Sequence, residues 1–288
     1  MNDGDFDFLR RLLHERSGLS LTPDKHYLIE SRLGILCRRL ALPGLDALIE
    51  RLRRAGDPDL ETAVVEAMTT NETFFFRDRS PFDLFRGTLL PELLARNAAT
   101  RSLRIWCAAV SSGQEAYSLA MILDEHAGRL AGWKVEILGT DISGEVLARA
   151  RDALYTQFEV QRGLPVQMLL RHFLQEGDKW RVAPHIRDRV ELRRHNLLEP
   201  CAQLGRFDII FCRNVLIYFD LPTKTKVLSS IAAQLAPGGA LILGAAETAI
   251  GLTTAVAADP EHRGLFRAPA AFDAAGRHRP SPPLSARG

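Results

Sequence analysis

Hydrophobic residues in the first 68 positions recur at helical spacing. A first amphipathic helix is predicted to end at Gly18, on the three- and four-residue spacing of Phe6, Leu9, Leu12 and Leu13. A second is predicted to begin with Thr22 as N-cap and Pro23 at its first position, and to end at Pro43-Gly44. Further helical patterns run from Leu45 to Arg54 and from Leu60 to Met68. Because no strand-like run occurs before residue 100, we expect an all-α N-terminal domain over residues 1–68.

Short apolar runs alternate with helical stretches after residue 100. The apolar runs are Leu103–Val110, Val135–Thr140, Val190–Leu192, Phe207–Cys212 and Ala240–Leu243. The helical stretches between them are Glu115–Glu125, Gly144–Asp152 and Thr223–Leu235. This alternation is typical of an α/β domain whose parallel sheet carries helices on both faces. The chain ends in a Pro-, Ala-, Arg- and Ser-rich segment, 268–288, that we expect to be disordered.

Composition excludes several classes of protein. The chain has 46% hydrophobic residues, 37 Lys and Arg against 35 Asp and Glu, and a net charge of +2, so charge alone does not favour binding to nucleic acid. No apolar run approaches the roughly 18 residues of a membrane span, and the acidic N-terminus does not resemble a secretory signal. No CxxC pair occurs, so we expect reduced core thiols in a cytoplasmic protein at the four cysteines, Cys37, Cys107, Cys201 and Cys212.

Common catalytic motifs are missing from the sequence. It contains no GxxxxGK[ST], GxSxG or HExxH motif, and its eight histidines are scattered. A triad hydrolase or a metal enzyme is therefore not expected, and we predict no metal site. The crevice beyond the carboxyl ends of the parallel strands is the remaining place for a ligand.

The segments after the first two predicted strands could serve a ligand. Ala108 to Glu115 is a turn of small residues that would let a ligand approach the backbone. The same pattern is also typical of a plain strand-to-helix turn that binds no ligand. Asp141 ends the second strand, where a carboxylate commonly holds ribose hydroxyls. Its alternative role is to cap the helix that starts near Ser143.

The segments after the next two strands are also polar. Asn196 follows the third strand, and its amide carries the donor and acceptor that an adenine edge would need. Arg213 and Asn214 follow the fourth, and Tyr218 comes next, either facing the crevice or packing in the core. The chain has a carboxylate placed to bind ribose but no pyrophosphate-binding loop. This combination suggests a nucleoside that lacks phosphates, and S-adenosylmethionine fits this description.

Four motifs together resemble the CheR family of chemotaxis receptor methyltransferases. They are Thr70–Asp78, Ile105–Ala109 with Ser112–Ser118, Gly139–Ile142 and Phe207–Asp220. They occur in family order, and the resemblance spans roughly residues 6 to 267. Where the family often has Glu-Glu-Pro, this chain has Gln114-Glu115-Ala116, which retains the second acid.

The resemblance implies a fold and a set of site residues. It implies an all-α N-terminal domain, a linker over 69–86, and a Rossmann-like S-adenosylmethionine-dependent methyltransferase domain over 87–267 with a small antiparallel β insertion at about 160–190. It implies cofactor contacts from Asn71, Thr73, Arg77, Glu115, Asp141, Asn196, Leu197, Arg213 and Asn214. Arg77 and Tyr218 are the candidates for positioning the methyl acceptor, although Arg77 could only tie down the linker.

The resemblance also implies the reaction, which is methyl transfer from S-adenosylmethionine to glutamate side chains of chemoreceptors, with S-adenosylhomocysteine as product. A glutamate side chain, with an ordinary pKa of about 4.3, is already ionised and needs no general base. A catalytically silent scaffold that binds receptors or other signalling proteins is one alternative. A nucleic-acid or small-molecule methyltransferase is another, and the balanced charge and the lack of an Asn-Pro-Pro-Tyr motif weaken its nucleic-acid version.

Lys25, Arg32 and Arg39 recur every seven residues, with Arg38 beside the last. This face suits the acidic methylation helix of a receptor, or is simply solvated. Some family members capture a receptor's C-terminal pentapeptide at the edge of the insertion and carry a longer, glycine-containing loop there. Here Leu174 to Val182 is short and Gly177 is its only glycine. We therefore expect docking mainly through the N-terminal helices and independence of that pentapeptide, unless the peptide pairs with another edge.

Overall fold

The N-terminal domain is built from four helices, as predicted. The computed structural model describes residues 1–54 and 56–269. The helices are α1 (Asp3–Ser17), α2 (His26–Arg39), α3 (Leu45–Arg53) and α4 (Pro58–Met68). Gly18 ends α1 in the left-handed conformation, with φ 75°. The predicted start of α2 is early, because Pro23–Lys25 form a separate 3-10 turn and Thr22 makes no side-chain capping bond.

The segment between the two domains becomes helical before it reaches the sheet. Helices α5 (Ser80–Leu84) and α6 (Leu90–Arg96) are joined through a π-helical turn, Phe85–Leu89. The helical segment therefore runs through residue 86, where the sequence placed the end of the linker. Phe82 and Phe85 pack beside Phe211 of the sheet, which anchors this segment to the second domain.

A seven-stranded sheet forms the second domain. Its strands are β1 (Ser102–Ala108), β2 (Lys134–Asp141), β6 (Val190–Arg194), β7 (Phe207–Cys212), β8 (Leu235–Leu243), β9 (Ala257–Ala258) and β10 (Leu265–Arg267). The spatial order is β6-β2-β1-β7-β8-β10-β9. Strands β6, β2, β1, β7 and β8 are parallel and match the predicted apolar runs. Strands β9 and β10 pair antiparallel at one edge of the sheet and were not predicted.

Helices cover both faces of this sheet. They are α7 (Gln114–Glu125), α8 (Gly144–Asp152), α11 (Pro184–Arg187) and α12 (Leu221–Ala232). Ile105 and Cys107 of β1 belong to one buried cluster, and Trp106 and Ala108 to the other. This alternation buries β1 on both faces, which is typical of a central parallel strand. The expected α/β fold with an all-α domain before it is confirmed.

The small antiparallel insertion is present but begins earlier than predicted. It consists of β3 (Leu154–Thr156), α9 (Gln157–Gln161), α10 (Val166–His172), β4 (Phe173–Glu176) and β5 (Lys179–Val182), with strand order β3-β5-β4. Gly177 and Asp178 make the turn between β4 and β5, and Gly177 has φ 63°. A Cβ on Gly163 would lie 2.1 Å from the Phe75 carbonyl oxygen, so the insertion packs directly on the linker backbone.

The described chain ends on the sheet. Ala268 donates its N–H to the Gly239 carbonyl, and Gly238 donates to that of Pro269, so the first two residues of the expected tail still pair with β8. The remainder of that tail, 270–288, lies outside the described residues. All four cysteines are buried and free, as predicted. Among the residues that the structure describes, no helix has the length and apolar character needed to cross a membrane.

Candidate functional site

A cavity opens at the carboxyl ends of β1, β2, β6 and β7, where the N-terminal domain and the linker meet the sheet. Its lining includes every residue that the sequence predicts to bind the cofactor or to position the acceptor: Asn71, Thr73, Arg77, Glu115, Asp141, Asn196, Leu197, Arg213, Asn214 and Tyr218. Because parallel strands end at one edge of the sheet, these residues converge although they lie far apart in the sequence.

Asp141 is fixed at the end of β2 by backbone donors. Its Oδ2 accepts from the Ser111 N–H at 2.8 Å, and its Oδ1 accepts from the Ser143 N–H at 3.0 Å. Burial raises the pKa of this carboxyl group, and these two hydrogen bonds partly oppose the shift. Each carboxylate oxygen keeps acceptor capacity for a hydroxyl donor. Asp141 therefore orders the start of α8 and also faces the cavity, so the two roles weighed for it are compatible.

Arg213 joins the end of β7 to α7 and to the linker. Its Nη1 lies 2.8 Å from the Glu115 carboxylate, and its Nη2 donates to the Asp78 carboxylate at 2.8 Å and to the Arg77 carbonyl at 2.9 Å. Its side chain is only 2% exposed. Burial raises the pKa of Glu115, while the charge of Arg213 acts in the opposite direction. Arg213 lines the cavity as predicted, but these hydrogen bonds all go to protein groups.

The Asn196 side-chain amide makes two hydrogen bonds to the protein. Its Nδ2 donates to the Arg16 carbonyl at 2.7 Å, and its Oδ1 accepts from the Leu198 N–H at 3.0 Å. One N–H and one lone pair of the amide are therefore engaged with the protein, and a second N–H and lone pair are left for a ligand, so the predicted contact with adenine stays a prediction. These two hydrogen bonds also tie the end of α1 to the end of β6.

The linker is held over the cavity by short contacts. The Arg77 guanidinium donates to the Glu72 carbonyl at 2.6 Å and lies 5.7 Å from the centre of the Phe74 ring. From the insertion, Arg162 binds the Glu72 carboxylate at 2.7 Å and lowers its pKa. The Ser111 hydroxyl donates to the Asn71 carbonyl at 2.8 Å. These contacts connect the insertion, the linker and the turn after β1.

The N-terminal domain also contributes to the cavity, which sequence reasoning missed. Leu19 lines it and forms a backbone bridge with Phe219, and Ser20 donates its N–H to the Tyr218 carbonyl at 2.9 Å. The Glu66 carboxylate accepts from the Gly144 N–H at 2.7 Å, at the amino end of α8. No local pattern marks these residues, because each acts on a segment distant in sequence.

The predicted basic face divides into two parts. The Arg32 guanidinium donates to the carbonyls of Met68 and Thr69 at 2.6 and 3.1 Å and to the Thr70 hydroxyl at 3.0 Å. It therefore holds the end of α4, and its part in receptor docking stays a prediction. Lys25 lies in the 3-10 turn before α2, whereas Arg38 and Arg39 end α2 and are exposed. We use the name basic surface for Lys25, Arg38 and Arg39.

One group of possible metal ligands lies away from the cavity. Potential ligand atoms of Asp124, His172 and His185 all lie within 4.8 Å of one another. Both Asp124 oxygens already accept from arginines, Oδ2 from Arg171 at 3.2 Å and Oδ1 from Arg189 at 3.1 Å. A cation bound by this carboxylate would have to displace or share those guanidinium contacts.

Comparison with known proteins covers most of the chain. Residues 4–69 match the model described as "CheR methyltransferase, all-alpha domain", and residues 71–260 match "CheR methyltransferase, SAM binding domain". A chemotaxis protein methyltransferase of Pseudomonas aeruginosa is 44% identical over 252 residues, which are 85% of this chain and 90% of the relative. Another from Pseudomonas putida is 42% identical over 88% of this chain and 94% of the relative. A third, from Vibrio cholerae, is 41% identical over 88% and 92%.

We predict that Asp141→Ala weakens the binding of S-adenosylhomocysteine by at least about tenfold, because two ribose hydroxyls would lose a charged acceptor. Asp141→Asn keeps one acceptor oxygen and should fall between this variant and the wild type. Titration calorimetry measures the affinities, and thermal unfolding checks that each variant is folded. Asp178→Ala, in the exposed β4–β5 turn, is the matched control. Unchanged affinity in a folded Asp141→Ala protein would refute the ribose assignment.

Proposed function

The chain belongs to the CheR methyltransferase family, and from this we propose that it transfers a methyl group from S-adenosylmethionine to glutamate side chains of chemoreceptors. The observation that carries the proposal is the cavity, because residues from the linker and four strand ends converge there as the family resemblance implies. The products would be a glutamate methyl ester and S-adenosylhomocysteine. We place this reaction in the cytoplasm, where receptors present their methylation helices.

The proposed chemistry is an in-line displacement. When bound, S-adenosylmethionine supplies a methyl group on a positively charged sulfur, and the attacking carboxylate oxygen carries the electron pair. Because opposite charges are lost as the new bond forms, a site that clamps the acceptor carboxylate too strongly would stabilise the ground state more than the transition state. The protein's contribution is therefore alignment and partial exclusion of water.

The cavity offers groups suited to that contribution. Arg77 lies in the linker over it, and Tyr218 lines it from the short 3-10 helix Leu216–Tyr218. A general base is not required, since the acceptor is already ionised. His195 also lines the cavity, but burial lowers the pKa of its ring, which leaves it without charge at neutral pH and confined beside Cys201.

Methylation of receptor fragments tests the function directly. The wild-type protein should transfer labelled methyl groups from S-adenosylmethionine to glutamates of a receptor's methylation helix, located by mass spectrometry. Cofactor binding without transfer to any receptor fragment would favour the scaffold alternative. Transfer to nucleic acid or to a small molecule instead would favour the other alternative.

Replacing Arg77 should separate chemistry from binding. We expect Arg77→Ala to lower the single-turnover rate at saturating cofactor by about tenfold to a hundredfold, because the incoming carboxylate loses a positioning cation. Cofactor affinity should change less than that rate. Arg79→Ala removes an exposed guanidinium from the same linker and serves as the control. A wild-type single-turnover rate in Arg77→Ala would exclude a part for Arg77 in the chemical step.

Charge reversal tests docking through the basic surface. The triple variant Lys25→Glu, Arg38→Glu and Arg39→Glu should reduce receptor methylation at low salt by about tenfold, while S-adenosylhomocysteine affinity stays unchanged. Arg32 is left in place because it holds the end of α4. Screening should make wild-type activity fall as salt rises.

The control for this experiment reverses the exposed residues Arg101, Arg129 and Lys134, near the amino ends of β1 and β2, away from the cavity. It changes the net charge by the same amount and should retain receptor methylation. Equal receptor turnover by the basic-surface variant and the wild type would show that the basic surface is only solvated.

The short insertion generates a prediction about tethering. With only Gly177 and Asp178 between β4 and β5, the turn offers little unpaired backbone to shape a peptide groove, and one free edge of this sheet is the four-residue strand β4. We therefore expect no binding at micromolar concentration when a receptor's C-terminal pentapeptide is titrated into the protein. Methylation should be the same for receptors with and without that peptide. Micromolar affinity at the insertion would overturn this prediction.

A further inference from the structure

Glu247 lies just beyond the cavity lining and has an unusual set of partners. Its Oε1 accepts from the N–H groups of Val215 and Leu216 at 2.9 and 2.7 Å. Its Oε2 accepts from those of Asn214 and Gly244, each at 2.8 Å. One carboxylate therefore satisfies successive backbone donors in the loop after β7 and a donor after β8.

The loop after β7 has the shape of an anion-binding nest. Asn214 is in the left-handed conformation with φ 60°, and Val215 follows with φ −123° and ψ −38°, so successive N–H groups converge on one point. Cys212 at the end of β7 pairs with Leu243 at the end of β8, which brings Glu247 to that point. The carboxylate is thus the protein's own occupant of the nest.

Gly244 is required for this approach. A Cβ at that position would lie 2.6 Å from Glu247 Oε2 and 3.0 Å from the Asn214 nitrogen. Only a residue without a side chain lets the β8 end come this close to the loop. Glu247 and Gly244 therefore form one arrangement that fixes the backbone of Asn214.

We propose that Glu247 is a positioning residue of the methyltransferase site, acting through the loop that carries Asn214 and Tyr218. Both of these residues line the cavity, and the N–H of Leu216 between them is bonded to Glu247. Without the carboxylate, the N–H groups of the nest would lose their charged acceptor, and the left-handed Asn214 would relax. The inference rests on the proposed function for the identity of the reaction, but the loop's role in binding the cofactor can be measured separately.

The main test removes the negative charge of Glu247 and keeps the shape of its side chain. Glu247→Gln places an amide NH₂ against two of the N–H donors, so we expect S-adenosylhomocysteine affinity to fall by at least about tenfold. The rate of methyl transfer at saturating cofactor should fall as well, because Tyr218 shares the loop. Glu261→Gln removes an exposed carboxylate from the same end of the chain and should behave as wild type.

Hydrogen exchange distinguishes local positioning from general loss of stability. In Glu247→Gln, the amides of residues 214–216 should exchange faster while those of β7 stay protected. Affinity within about twofold of wild type in the folded variant would overturn the proposal. Lost affinity with unchanged exchange at 214–216 would also overturn it, because the carboxylate would then not act through the loop.

Gly244→Ala provides a second route if Glu247→Gln does not fold. Its added Cβ displaces the carboxylate without removing it, so the affinity for S-adenosylhomocysteine should fall in the same way, and affinity within about twofold of wild type would contradict the proposal. Wild-type receptor methylation reports on the proposed function independently. If the wild type binds S-adenosylhomocysteine but methylates no receptor, the proposed function fails while the role of Glu247 in the loop stands.

Discussion

The buried cation of Arg213 connects the end of β7 to α7 and to the linker that runs over the cavity. A guanidinium almost completely removed from water needs acceptors, and the two terminal nitrogens of this one find them on α7 and on the linker, whereas its Nε has no partner among the described residues. Removing one partner of such a buried pair commonly costs about 3–5 kcal/mol, because the other charge is left uncompensated. The path of the linker over the cavity is therefore not a separate feature of the fold. It follows from the need to satisfy the charge at the end of β7.

How much the sequence could predict depends on the range of each interaction. Asp141 and Asn214 were placed correctly at the cavity, because strand ends can be read from local apolar runs and parallel strands end together. Asn196 was placed correctly at the cavity, but its hydrogen bond to the Arg16 carbonyl was not predicted, because the accepting residue is far away in the sequence. Arg32 fits a docking face by its spacing, yet its guanidinium binds the end of α4.

The sequence pattern did not predict strands that form only by pairing with segments distant in the sequence. Strand β3 is three residues long and becomes a strand only by pairing with β5, so the insertion was predicted to begin too late. The short strands β9 and β10 likewise depend on the edge that β8 presents. Glu66 and Glu247 look like ordinary surface acids, because the N–H groups that they bind belong to other elements.

The protein holds its carboxylates in two ways, and the difference matters for the proposed chemistry. Glu115 faces a full positive charge from Arg213, whereas Asp141 and Glu247 are held by backbone N–H groups. Backbone donors fix a carboxylate in place without cancelling its charge, so Asp141 remains a strong acceptor toward the cavity. Since burial raises the pKa of Asp141, a cationic ligand beside it would favour the ionised form, and the hydroxyl donors of such a ligand would add to this effect. Asp141 is thus the acid of this site that favours a cationic nucleoside, because its charge is not matched by a guanidinium as that of Glu115 is by Arg213.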